Sequence, residues 1–130
     1  MRGGAVALLG LLVSCDSDGD SISPCLDASV ALADSDEAAP VFSWSPVCGA
    51  AALLVKPGDG VGATWYIQTI DGENSLEPGI VYGVLPEGAG TIEPPVALVN
   101  GREYQVSLLV MNKVPGGVEV REAGATTFVK

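Results

Sequence analysis

Three observations predict an all-β chain folded as one antiparallel β-sandwich of about seven strands. Short runs that alternate apolar and polar residues recur from residue 40 to the C-terminus. The 17 glycines and 9 prolines, one residue in five, suggest many turns and few long helices. Apolar residues make up 48 %, more than a disordered chain carries. The length of 130 residues fits a single domain. Charge and composition also exclude functions. Sixteen acids against six bases give −10, which argues against nucleic acid as a partner, because binding a duplex needs clustered cations. There is no histidine, which removes Ser-His-Asp and Cys-His triads, HExxH zinc sites and haem ligation by His.

The chain opens with Arg2, the only cation before Lys56, and then nine residues from Ala5 to Val13 that are all apolar or Gly. A membrane-spanning helix needs about 20 such residues. The run is too short for that and has the pattern of a signal peptide. It ends in Leu12-Val13-Ser14-Cys15, which resembles a bacterial lipobox: Leu at −3 and a small residue at −1 before the cysteine. The resemblance implies a signal peptide over 1–14 and a diacylglycerol on Cys15. The protein would then sit in the bacterial cell envelope, held to the membrane through its N-terminal lipid. Val13 at −2 is less usual in that family than Ala or Ser. With Cys15 lipidated, Cys25 and Cys48 are left as a pair from three cysteines, in a compartment where a disulfide persists.

Residues 15–39 carry the lipidated cysteine and an acidic, small-residue tether. Seven acids and no base lie between Asp16 and Glu37, and like charges extend such a linker. Asp16, Asp18, Asp20 and Asp27 fall on positions 1, 3, 5 and 12 of a calcium loop. Ser21 stands where that loop needs Gly, and Asp27 where it needs Glu, so no metal and no cofactor is expected. Residues 26–33 contain Ser29-Val30-Ala31-Leu32-Ala33, which suits a first strand or a helix.

From Pro40 the strands follow one another. Val41–Ser45 alternates as a half-buried strand should. Ala51–Val55 is an apolar run closed by Lys56-Pro57-Gly58-Asp59-Gly60. Thr64–Thr69 is rich in β-formers and is followed by an Asp71-Gly72 turn. Ile80–Val84 comes next. Tyr104–Val110 places Tyr104, Val106, Leu108 and Val110 on one face. Pro115-Gly116-Gly117 turns the chain into Val118–Arg121, and Thr126–Val129 closes the set.

Two motifs in this region resemble bacterial fibronectin type III-like domains. Pro40-Val41-Phe42-Ser43-Trp44-Ser45-Pro46-Val47-Cys48-Gly49-Ala50 is similar to their P-x-F-x-W-x-P-V-x-G-A opening. Leu98-Val99-Asn100-Gly101-Arg102-Glu103-Tyr104 is similar to their L-x-P-G-x-x-Y signature, with Asn100 in place of Pro. The resemblance covers residues 40–130. It implies that Trp44 packs between the sheets. It also implies that Leu98 and Tyr104 form a tyrosine corner, with the hydroxyl bonded to backbone a few residues upstream. Leu53 departs from the family's usual Tyr. In that topology the first strand starts at the pole where the second ends, so Cys25 and Cys48 would lie together.

Few constellations suggest chemistry. Gly58-Asp59-Gly60-Val61-Gly62 lacks both nucleotide-loop patterns. Glu73, Glu77, Glu87 and Glu93 could form a glycosidase pair, but all are expected in Gly/Pro-rich turns, where acids are usually solvated. Trp65 and Tyr66 are adjacent on one strand and face opposite ways. One belongs to the core, and the other is the candidate contact for a sugar or a protein. The resulting expectation is a non-enzymatic envelope protein whose sandwich is a structural or adhesive module for an envelope protein or glycan. The alternative is an accessory lipoprotein that binds sugar or peptide.

Overall fold

The computed structural model describes residues 22–32 and 39–130. Cys15, the leader and the acids from Asp16 to Asp20 lie outside the described residues. Among the described residues eight strands form two antiparallel sheets: β1 (Ser29–Leu32), β2 (Val41–Ser45), β3 (Ala52–Pro57), β4 (Trp65–Thr69), β5 (Ile80–Val81), β6 (Ala89–Glu93), β7 (Glu103–Val114) and β8 (Gly117–Val129). The smaller sheet has the order β1-β2-β5 and the larger β6-β4-β3-β7-β8. The chain is therefore an all-β sandwich.

Alternation decides what each strand buries. Phe42 and Trp44 point inward from β2; Leu53 and Val55 from β3; Trp65 and Ile67 from β4. Tyr104, Val106, Leu108 and Val110 do so from β7, as the sequence predicts. Aromatic rings join the two sheets through the middle. Trp65 meets Tyr82 at 5.1 Å, Tyr82 meets Phe42 at 6.5 Å, Phe42 meets Phe128 at 5.7 Å, and Phe128 stacks on Tyr104 at 5.6 Å.

The structure settles one open choice and departs from expectation in three places. Residues 29–32 are a strand, since β1 pairs with β2 from Ser29↔Ser45 to Leu32↔Phe42. The sandwich thus includes residues on both sides of position 40, where the sequence texture changes. The run 80–84 pairs only over Ile80–Val81, because a turn bonded from Val84 N–H to Val81 O lifts the chain away. The runs 118–121 and 126–129 belong to one strand, bent by a bulge opposite Leu108 and Leu109. β6 went unrecognised and pairs with the open edge of β4. It holds Glu93, which is therefore on a strand and not in a turn.

The N-terminal segment is fixed to one pole. Cys25 and Cys48 are disulfide-bonded with their Cα atoms 4.9 Å apart. Cys25 N–H donates to Gly49 O and Gly49 N–H to Ser23 O, at 2.8 and 2.7 Å. Arg121 donates to the carbonyls of Leu26 and Cys25 at 2.8 and 3.1 Å, and Ala28 N–H donates to Ala123 O. The bridge closes a loop of 23 residues, which by loop-closure entropy contributes about 3 kcal/mol. Backbones pass closely here. A Cβ on Gly124 would run into the Ala28 carbonyl, and one on Gly49 into the Asn74 carbonyl.

Urea melts of single variants check this packing. Trp44, 4 % exposed and donating from Nε1 to Cys48 O, is expected to cost about 3–5 kcal/mol when truncated to Ala. Gly124→Ala is expected to cost about 1–3 kcal/mol, because the Ala28 backbone must move. Wild-type midpoints in both would contradict the packing.

Candidate interaction face

The larger sheet has a second face, turned away from the core. Register and alternation define it. Leu54 lies between Tyr66 on β4 and Ser107 on β7, and Ala52 lies between Gln68 and Leu109. Farther along, Met111 pairs with Val120 and Lys113 with Val118 on the β7–β8 ribbon. β3 ends its pairing at Ala52↔Leu109, so this ribbon runs on past the sandwich. An outward sheet face is usually polar; this one carries Leu54, Leu109 and Tyr66, with Glu122 paired beside Leu109 and Glu93 beside Tyr66.

Size varies across that face in a regular way. Leu54 and Leu109 are large and half-buried, on one diagonal. Ala52 and Ser107, on the other, are 1 % and 4 % exposed although they face outward. The charges of the face are Lys56 and Lys113 against Glu93, Glu103 and Glu122. The face is close to neutral on a chain of net charge −10.

The other site residues fall as follows. Trp65 is 1 % exposed and faces the core. It is excluded as a ligand contact because Tyr82 and the smaller sheet cover it. Tyr66 is half-buried and faces outward beside Leu54. It is the only one of the seven aromatic side chains not packed in the core. Tyr104 is buried, and its hydroxyl accepts the Val99 N–H at 2.8 Å. Leu98 packs half-buried against the core. Cys25 and Cys48 form the disulfide already described.

Three of the four glutamates fall in two open grooves. Glu77 and Glu87 line an open groove of about 370 Å³ together with Pro78, Ile80 and Pro86. Glu73 and Glu77 line another of about 400 Å³ beside Pro24 and Asn74. All are exposed. Among the described residues no three His, Cys, Asp or Glu side chains gather around one point, and Asp27 is exposed. The ion pairs Lys113–Glu73 and Arg102–Asp59, both 3.6 Å, are solvated and stabilise little. Asn74 instead pins its loop to the ribbon: Nδ2 donates to Met111 O and Oδ1 accepts the Met111 N–H, both at 2.8 Å.

Leu54, Leu109 and the ribbon residues were missed as site residues. A signal was present, because Leu53-Leu54 and Leu108-Leu109 put apolar side chains on both faces of their strands. No family model matches the chain, and neither a curated protein nor a solved structure matches it.

One buried titratable group yields a pH dependence. Tyr82 donates to Val96 O at 2.6 Å and bears on Thr64 O at 3.3 Å, and burial pushes its hydroxyl up to about 12 from 10.0. Between these values the unfolded tyrosine has lost a proton that the folded one keeps. Stability should therefore fall as pH rises from about 10 to about 12 and level off above. Urea melts across that range are expected to show a shallower fall for Tyr82→Phe; an equal slope would contradict the assignment.

Proposed function

We propose that this chain is a non-enzymatic, lipid-anchored protein of the bacterial cell envelope, and that its sandwich is an interaction module of the fibronectin type III kind. The outward face around Leu54, Tyr66 and Leu109 carries the proposal. Burying apolar surface drives association, and this face combines it with the one outward aromatic and little charge. The fibronectin-like part of the reading is supported by Trp44 between the sheets and by the Tyr104 corner. Anchoring rests on the Leu12-Val13-Ser14-Cys15 box. The Cys25–Cys48 bridge supports export, and it would join an N-terminal tether firmly to the domain.

A second reading, an accessory lipoprotein that binds sugar or peptide, is favoured by Tyr66 beside Gln68. Apolar neighbours on three strands favour a protein surface instead.

Metabolic labelling with a fatty-acid probe is expected to tag the wild type and not Cys15→Ser; equal labelling would remove the anchor. Crosslinking in native envelopes is expected to lose its protein adducts in Leu109→Asp, with the fold verified by a urea melt. Unchanged adducts would remove the face. Loss of glycan binding in Tyr66→Ala with protein adducts intact would favour the second reading.

A further inference from the structure

We infer that the disulfide pole of the sandwich, together with the projecting β7–β8 ribbon, rests on a zwitterionic lipid surface, and that the exposed aliphatic side chains of this pole enter the headgroup region. The inference rests on the lipid-anchor part of the proposed function and adds which end of the domain meets the bilayer.

Three features meet at this pole. The chain enters the domain here, where Pro24 bridges to Gly49 and Cys25 is bonded to Cys48. The ribbon leaves the sandwich here, since β3 stops pairing at Leu109 while β7 and β8 stay paired as far as Val114↔Gly117. Entry point and ribbon are neighbours, because Pro24, Lys113 and Val118 line one open cavity of about 290 Å³. Large aliphatic side chains are exposed here as well. Leu26, Val47 and Ile70 are 79 %, 74 % and 77 % exposed, and Val118 is 59 % exposed. Leu26 and Val47 each adjoin a cysteine of the bridge, and Ile70 follows Thr69, whose N–H bonds to Ala51 O.

Exposure alone does not choose an end of the domain, for Val61, Val99 and Val129 are exposed at the opposite pole. The length of the tether chooses. Seven peptide steps lead from Cys15 to Ile22, and a fully extended chain covers them in ~25 Å at most. β7 runs from the far pole to the ribbon tip, and its 12 residues alone span ~40 Å. A domain tied at one pole by a leash shorter than itself turns that pole to the membrane. Aliphatic side chains that reach the headgroup boundary bury apolar area there. Charge selects the lipid. Asp27, Asp71, Glu73 and Glu119 stand at this end against Lys113 and Arg121, and the tether adds Asp16, Asp18 and Asp20. Arg121 is already engaged with the carbonyls of Leu26 and Cys25. An acidic excess is repelled by anionic headgroups and tolerated by zwitterionic ones.

Quenching of an introduced tryptophan by brominated lipid tests this, in the full lipid-bearing chain reconstituted into phosphatidylcholine vesicles. The native Trp44 and Trp65 are buried and sheltered from such a quencher. Leu26→Trp and Val118→Trp are expected to lose emission on brominated lipid. Val61→Trp is expected to keep it, although Val61 is 98 % exposed. Adding phosphatidylglycerol is expected to lessen the loss. All three positions lie in solvent, and a urea melt verifies each fold. Full emission from Leu26→Trp or Val118→Trp, an equal loss at Val61→Trp, or a greater loss on adding phosphatidylglycerol overturns the inference. Vesicle flotation separates these outcomes from failure of the anchor: a chain that neither floats nor takes the fatty-acid label removes the anchor and the inference with it.

Discussion

The fold depends on a line of aromatic rings that crosses the sandwich. Trp65 on β4, Tyr82 after β5, Phe42 on β2, Phe128 on β8 and Tyr104 on β7 touch in sequence. These five side chains connect both sheets and the two strands at the C-terminal end. Each buries on the order of 150–250 Å², so in a chain with seven aromatics they supply much of the apolar area available. The polar tips of the two tyrosines extend the line outward. Tyr82 bonds to Val96 and Tyr104 to Val99. In this way the Pro94–Asn100 connection, which has no ladder of its own, is fixed to the core by side chains.

The opposite pole is held differently. No ring of that line reaches it, and the residues there are small: Cys25, Cys48, Gly49 and Ala50. Small residues bring backbones close but bury little area. The covalent bridge, the paired bonds between residues 23–25 and 49, and the Arg121 guanidinium offset that deficit. Trp44 links the two regimes, because its ring lies in the core and its Nε1–H reaches Cys48 O.

Sequence reasoning recovered the features that a single strand encodes. Tyr104 and Val106 alternate with polar neighbours, and their shared face followed from period two; for Trp44 the alternation of Val41–Ser45 was joined by the family resemblance. The Cys25–Cys48 pairing was legible because the third cysteine had another role assigned. What was lost depends on a neighbour. Ala89-Gly90-Thr91-Ile92-Glu93 has one aliphatic residue and becomes β6 only because β4 has an open edge. β8 was divided because Glu122-Ala123-Gly124-Ala125 contains no strong β-former, yet β7 pairs along nearly all of it. Trp65 and Tyr66 could not be ranked from their own strand. Their order follows from Ile67 and Leu53, whose pairing fixes which parity of β4 faces the smaller sheet.

The outward face was overlooked for a related reason. A pattern search looks for alternation, and β3 and β7 depart from it by adding apolar residues on the outer side. Such residues add nothing to the core, since Leu53 and Leu108 already fill the inner positions. Leu54 and Leu109 stay half-buried on that outer side, beside Ala52 and Ser107, which are almost inaccessible although they face outward.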